Sequence, residues 1–344
     1  MKKAILTVTA VILSLVMICA AVIAVLFGNE ILTVLSLETY DAPGLYSVDY
    51  HGDYGFDEFL EVGAKDWDEY GDYIKSTLAH GLAEKIDDFG TACSCFVCHN
   101  EKDEVLFCRN FDYTVSPCLV TMTKPKNGCA SIGASNMGFL DFGVNEEIEP
   151  HKLNMTNALA LSGPYFTTDG MNEYGVAMSV LDCSWAHLPE IEGAPTLVTC
   201  AMIRMILDNA HNVDEAVELF KSYNMSRYNS NHHFMIADST GRAVVMEYTE
   251  DGIIAVESDT VTNFNLYGTS EGEMICRRYK YIKDKLKECG GVMSEDEAMD
   301  VLCEVKVRLQ YSTIYNLTTG EVHVFTFGDK TKAEVFNLEM NENR

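Results

Sequence analysis

The sequence predicts an α+β domain in which strands come in groups and helices are inserted between the groups. Three observations carry this. Short β-prone runs CSCFVCHN, EVLFCRN, CLVTMTK and CASIGAS occupy residues 93–135, separated by turn residues at 100–103 and 125–128. A second set, HHFMIAD, RAVVMEY and GIIAVES (232–258), is joined by Ser-Thr-Gly and Glu-Asp-Gly turns. Helical patterns lie between and after these sets rather than alternating with single strands, which favours a layered α+β architecture over a parallel sheet.

In chain order, Met-Lys-Lys is followed by 24 residues without a charge, AILTVTAVILSLVMICAAVIAVLF. That run exceeds a signal-peptide core and is about long enough to span hydrocarbon as a helix. It predicts an uncleaved signal anchor over 1–28, with Lys2 and Lys3 on the cytoplasmic side and the rest outside. A secreted chain with a cleaved signal peptide is the alternative. An acidic, propeptide-like segment follows over 29–92, with 15 Asp/Glu against 3 Lys. Within it, residues 55–86 have helical apolar spacing, interrupted by Gly63 and Gly71.

After the first strands, NALALS (157–162) and GVAMSVLD (175–182) read as further strands. Residues 196–210 read as a helix, and Asn212 with Glu215 marks the start of the next. Two late helices follow, one over 273–288 ending at Gly290-Gly291, the other capped by Ser294 and Glu297 and running to about Arg308. YSTIYNL and EVHVFTF close the chain as a hairpin.

A formal charge of −27, with no Lys/Arg cluster as a local exception, would repel phosphate backbones, so nucleic acid is excluded as a partner. Twelve cysteines in an exported chain would ordinarily be read as disulfides. Here the chain is too large to need stapling, the spacings lack a repeat, and Cys183, Cys276 and Cys303 fall in apolar patterns where a thiol packs as a small hydrophobe.

Cys93, Cys95, Cys98 and Cys108 could in principle supply four thiolates to a metal. On a strand, however, Cys93 and Cys95 share one face and Cys98 the other, which argues against convergence on one ion. Arg109 and Asp112, 16 and 19 residues after Cys93, would singly read as an ordinary ion pair at a strand end, Asn263 as a turn residue and Arg278 as a solvated helix position.

Taken together they do not. Cys-Ser-x-Phe followed at this spacing by Arg-Asn-x-Asp resembles the start of the mature chain in choloylglycine hydrolases and penicillin V acylases. These are linear amide carbon–nitrogen hydrolases of the N-terminal nucleophile class, related to acyl-CoA:6-aminopenicillanate acyltransferases. DGMNEYGVAMSVLD (169–182), HFMIADSTGRAVVMEY (233–248), VTNF (261–264) and CRRYKYI (276–282) resemble further patches of the family, in family order.

The resemblance implies a four-layer αββα sandwich over 93–344 that needs no cofactor and acts on a small-molecule N-acyl amide. It implies Cys93 as nucleophile once it is the N-terminal residue, its thiol attacking the carbonyl and its α-amine carrying the proton. An α-amine has a reference pKa of about 7.7–8, near the operating pH that general-base catalysis favours. Arg109 would favour thiolate, and Asp112 would accept from the α-amine. Asn263 and the backbone of Asp182 would hold the oxyanion, and Arg278, or Arg277 in the alternate register, would supply charge. Position 182 carries Asn in choloylglycine-type relatives, so a carboxylate there puts substrate preference in doubt.

Because Cys93 is internal, the resemblance also implies cleavage of the Ala92–Cys93 bond, by Cys93 itself through an N-to-S acyl shift. The apolar positions of the acidic segment should then keep it associated. An acyltransferase, or a silent membrane-tethered binding protein on the same fold, are the alternatives, and a homo-oligomer is left open.

Overall fold

The computed structural model describes residues 2–78, 93–113, 117–144, 147–228, 231–270, 276–308 and 310–342. The Ala92–Cys93 bond and positions 79–86 of the expected helical pattern lie outside them.

The N-terminal part comprises α1 (Lys2–Leu35), β1 (Glu38–Thr39), β2 (Leu45–Asp49), α2 (Phe56–Val62) and α3 (Trp67–Thr77). Next come β3 (Ser94–His99), β4 (Val105–Asp112), β5 (Cys118–Thr123), β6 (Ser131–Asn136), α4 (Met155–Ala158), β7 (Thr167–Asn172), β8 (Ala177–Asp182) and β9 (Thr196–Leu197). They are followed by α5 (Thr199–Asn209), α6 (Val213–Phe220), β10 (Asn224–Met225), β11 (His232–Ala237), β12 (Ala243–Thr249), β13 (Gly252–Glu257) and β14 (Thr260–Val261). The chain closes with α7 (Arg277–Glu288), α8 (Glu295–Val305), β15 (Gln310–Asn316), β16 (Glu321–Thr326) and β17 (Glu334–Asn337).

These elements make four layers. A nine-stranded sheet in the order β1-β2-β5-β6-β7-β8-β11-β12-β13 faces a six-stranded sheet in the order β14-β3-β4-β15-β16-β17. Helices α5 and α6 cover the outer face of the larger sheet, and α7 and α8 that of the smaller. Side chains alternate across β3: Cys93, Cys95 and Val97 enter the core between the sheets, whereas Phe96 and Cys98 join Cys108, Leu286 and Leu302 in the core under α7 and α8. The caps read from sequence hold the helices here: Asn212 accepts from the Glu215 amide, and Ser294 with Glu297 forms a complete capping box.

Two elements differ from the sequence expectation. NALALS is helical, not a strand: α4 runs into a 3-10 turn over Leu159–Phe166, started by the Asn154 side chain accepting from the Asn157 amide. A short apolar run has no periodicity that separates a buried strand from a buried helical turn. In the other direction, the acidic segment is not wholly helical. It supplies β1 and β2, and β2 pairs parallel with β5, so the segment extends the larger sheet.

The acidic segment is also built into the core. Phe56, Phe59, Trp67, Tyr70 and Ile74 are buried, and Leu60 and Leu78 pack at the edge. The Phe59 and Tyr70 rings meet at 5.0 Å, and Tyr70 donates to the Tyr165 carbonyl at 2.9 Å. Each such aromatic contributes about 1.5–3 kcal/mol by burial. Gly63 ends α2 with φ +67°, where a Cβ would lie 2.4 Å from the Thr196 carbonyl oxygen. Gly71 interrupts nothing and lies buried inside α3.

Helix α1 is long and apolar enough to cross a membrane by length and composition, the apolar stretch running over Thr9–Leu35. It bends at Phe27, where φ is −130°. Leu26 and residues such as Met17 and Ile18 before it are exposed, whereas Thr33 and Val34 beyond it are buried against the domain.

Where Tyr54 of the acidic segment meets α5, its hydroxyl donates to the Asp208 carboxylate at 2.7 Å, and Arg204 pairs with the same group at 2.6 Å. Burial outweighs the Arg204 attraction and pushes the Asp208 carboxyl up to about 6. The folded chain therefore holds this proton to higher pH than the unfolded chain. The contribution is fully present below the ordinary carboxylate range and is lost as pH rises through about 6. Thermal melts from pH 4 to 7 should show a falling contribution that Asp208→Asn removes; an unchanged slope in the variant rejects this assignment.

Candidate active site

Hairpin β3–β4 begins the site. Its register sets Ser94 opposite Asn110 and Cys95 opposite Arg109, so Arg109 lies beside the start of β3. Cys93 is fully buried, and Arg109 Nη2 stands 3.7 Å from its Sγ while donating to the Val180 carbonyl at 2.6 Å. The neighbouring thiols are of another kind: burial pushes Cys95 up to about 12 and Cys108 well above its ordinary value, which leaves both as inert packing groups. Cys98 and Cys108 lie in the other core, so the four cysteines do not converge.

Arg109 is wholly buried, and burial opposes its charge. The Asp169 carboxylate, with Oδ2 3.2 Å from Nη1, is the leading attraction that raises its pKa and keeps it charged. Asp169 accepts further hydrogen bonds from Tyr315 Oη at 2.8 Å, Thr313 Oγ1 at 2.9 Å and Thr168 Oγ1 at 3.1 Å. Sequence reasoning missed Asp169. It opens the DGMNE patch, but nothing local marks it as the partner of an arginine 60 residues earlier.

The other side of the site is built from β8, the stretch after β14, and α7. Arg278 Nη1 donates to the Cys93 carbonyl at 2.6 Å and Nη2 to Asn263 Oδ1 at 2.7 Å; Asn263 Nδ2 donates to the Asp182 carbonyl at 3.0 Å. An amide carries two hydrogens, so that bond leaves one for a substrate oxygen. Cys183 N–H bonds across to Asn231, so by the alternation of an antiparallel ladder the Asp182 backbone faces the opposite edge, toward Asn263. Arg278 is thus the residue at the site, and Arg277 is exposed.

The Asp182 side chain is turned away from Cys93. Ser179 lies beside the Cys95 thiol and acts on it, so odd positions of β8 face the smaller sheet and Asp182 faces the helices. There its Oδ1 is 3.2 Å from His232 Nε2, and His232 Nδ1 is 3.1 Å from Thr199 Oγ1 at the start of α5. The carboxylate feared beside the acyl carbonyl lies on the far face of the sheet.

Asp112 closes β4. Its Oδ1 accepts the Val307 and Arg308 amides at 3.0 and 3.1 Å, closing the loop after α8, while Oδ2 is buried without a hydrogen-bond partner among the described residues. Burial raises its carboxyl against the pull of those amides and of Arg278 and Arg109.

A cavity of about 570 Å³ opens beside these groups, lined by Ser184, Trp185, Asn263, Phe264, Asn265, Cys276 and Arg278 among others. Burial acts to raise the Cys276 thiol, but the Thr262 hydroxyl, the Tyr279 and Arg278 amides and the Arg278 charge together hold it below its ordinary value. It is half-buried at the N-cap of α7.

Two variant crystal structures of conjugated bile acid hydrolase from Clostridium perfringens superpose with TM-scores of 0.50 and 0.52. Each is 16% identical, over 73% of this chain and 95% of that one. Penicillin V acylase from Agrobacterium tumefaciens gives 0.49, at 16% identity over 73% of this chain and 89% of its own. No curated protein matches by sequence. The family model of linear amide C–N hydrolases, choloylglycine hydrolase family, matches residues 93–268, from Cys93 through the Asn263 segment, and the chain belongs to that family.

Proposed function

We propose that this protein cleaves the amide bond of a small N-acyl substrate through a thioester on Cys93, after Cys93 becomes an N-terminus. The observation that carries the reading is the convergence on one buried thiol of Arg109, 3.7 Å from Sγ, and Arg278, 2.6 Å from the Cys93 carbonyl and 2.7 Å from Asn263. The thiolate attacks the acyl carbon, and the oxyanion is taken by Asn263 Nδ2 and the Asp182 N–H. The carbon–nitrogen bond breaks as the α-ammonium of Cys93 protonates the departing amine. Water then attacks the thioester, the α-amine accepts its proton, and the acid and thiol are released. Trp185 and Phe264 beside Asn263 suit an apolar acyl group.

Processing follows the same chemistry. Sγ attacks the Ala92 carbonyl, the peptide bond breaks to give a thioester and a free α-amine, and water hydrolyses the thioester. Continuing the β3–β4 register one residue from the Ser94–Asn110 pair sets Cys93 opposite Phe111, next to Asp112, whose Oδ2 has no hydrogen-bond partner among the described residues and would accept from the new amine. The acidic segment stays on the domain as a noncovalent subunit, because β2 belongs to the larger sheet and its aromatic residues belong to the core. Through α1 it tethers the enzyme to the membrane, with the domain on the extracytoplasmic face.

Intact mass and N-terminal sequencing of the purified protein test the reading. A chain beginning at Cys93, extracted in detergent together with a tagged N-terminal fragment, is the expected result; an intact chain whose Cys93 resists iodoacetamide overturns it. The label must be mapped by peptide, since the Cys276 thiol is also held below its ordinary value. Given a substrate, Asn263→Ala should lower kcat about 10²- to 10³-fold with KM little changed. A rise in KM alone would place Asn263 in substrate binding instead.

A further inference from the structure

Behind Asn263 lies a buried pair that the mechanism above does not use. His233 on β11 and Glu247 on β12 are both without solvent exposure, with Nδ1 3.0 Å from Oε1. His233 Nε2 lies 2.9 Å from the Thr262 carbonyl, the residue next to Asn263. A carbonyl only accepts, so Nε2 carries a hydrogen and donates it, and a proton lies between Nδ1 and the carboxylate. Glu247 also accepts the Leu266 amide on Oε1 at 2.7 Å and the Tyr267 amide on Oε2 at 2.9 Å. Three bonds from two buried side chains therefore grip the backbone on both sides of Asn263, at 262 and at 266–267.

We infer that His233 and Glu247 are positioning residues for the oxyanion arm: they fix the 262–267 segment so that Asn263 Nδ2 stays beside the Asp182 backbone. The inference rests on the proposed hydrolase reading. The buried Asn265 adds two bonds to the Trp185 backbone, at 3.2 and 2.9 Å, on the far side of Asn263 from Thr262. Asn263 itself is held by Arg278 and the Asp182 carbonyl, and both bonds require its backbone to be in place already. An oxyanion donor displaced by about 1 Å loses most of its effect, because the hydrogen bond must form where charge develops. Glutamine at 247 keeps one acceptor oxygen but loses the charge and sets a donor against one of the amides it now accepts.

The test separates acylation, which needs an oxyanion donor, from alkylation, which does not. The processed full-length protein is mixed with 4-nitrophenyl octanoate, and the Cys93-dependent burst of nitrophenolate is timed; in parallel the rate of iodoacetamide labelling at Cys93 is followed by peptide mass. Glu247→Gln and His233→Gln should slow the burst about tenfold or more while alkylation of Cys93 keeps the wild-type rate. In an Asn263→Ala background the same substitutions should add no further loss, since coupled residues acting through one group are not additive. A burst that is unchanged, or that falls in step with alkylation and thermal stability, or losses that add fully to that of Asn263→Ala, overturns the inference and leaves the hydrolase reading standing. A wild-type protein with no Cys93-dependent burst overturns both.

Discussion

Replacing Cys93 by alanine is expected to leave the Ala92–Cys93 bond intact and to abolish amide hydrolysis, by about 10⁴-fold or more against the processed enzyme. The effect should be larger than for any other residue at the site because, on the proposed mechanism, one side chain would supply the nucleophile for two reactions, and its α-amine the base for the second. Fold should be unaffected: the thiol fills a small buried space, and the cores on either side of β3 do not depend on its sulfur. Cys93→Ser keeps a weaker nucleophile and should show slow or absent processing with the same thermal stability. The measurement is intact mass over time beside hydrolysis of an N-acyl amide. Hydrolysis by a Cys93→Ala chain would move the chemistry to another residue.

Asp169→Ala is expected to have the largest effect on stability, about 3–5 kcal/mol, because it leaves the Arg109 guanidinium charged, buried and without its ion pair. Four hydroxyl groups, of Tyr315, Thr313, Thr168 and Tyr311, would lose an acceptor as well. Denaturant midpoints read this directly. The double change Asp169→Leu with Arg109→Met should recover much of the stability, since an apolar pair of similar volume avoids both desolvation costs. It should recover none of the activity, because Arg109 Nη2 would no longer stand beside Cys93 Sγ. If the double variant is as unstable as the single one, the loss comes from packing rather than from the stranded charge.

The two substitutions draw on different levels of information. Cys93, Arg109, Asn263 and Arg278 were visible in the linear sequence because the family motif fixes their residue types and spacings, and the structure brings these four together. Asp169 and the His233–Glu247 pair sat within patches already noticed, yet no spacing rule reveals which buried carboxylate meets which cation. That is decided by cross-strand register, as when Asp169 falls opposite Ser179 on the face toward β15. Asp182 makes the converse point. Its residue type suggested an awkward charge at the carbonyl, but a strand alternates its side chains, and Ser179 on the Cys95 side puts Asp182 on the other.

By itself the sequence determined the α+β class, the capped helices, the apolar N-terminal helix and the spacing of Cys93, Arg109, Asn263 and Arg278, all of which follow from local periodicity, cap chemistry or fixed motif distances. Only the tertiary structure decided that NALALS coils into helical turns, that the acidic segment lends β2 to the larger sheet, and which charges pair in the dark between the layers. The reason is physical. A parallel pairing such as β2 with β5 joins residues about seventy positions apart through backbone groups common to every residue, and burial selects the partner of a charge by proximity in space, neither of which leaves a trace at short range along the chain.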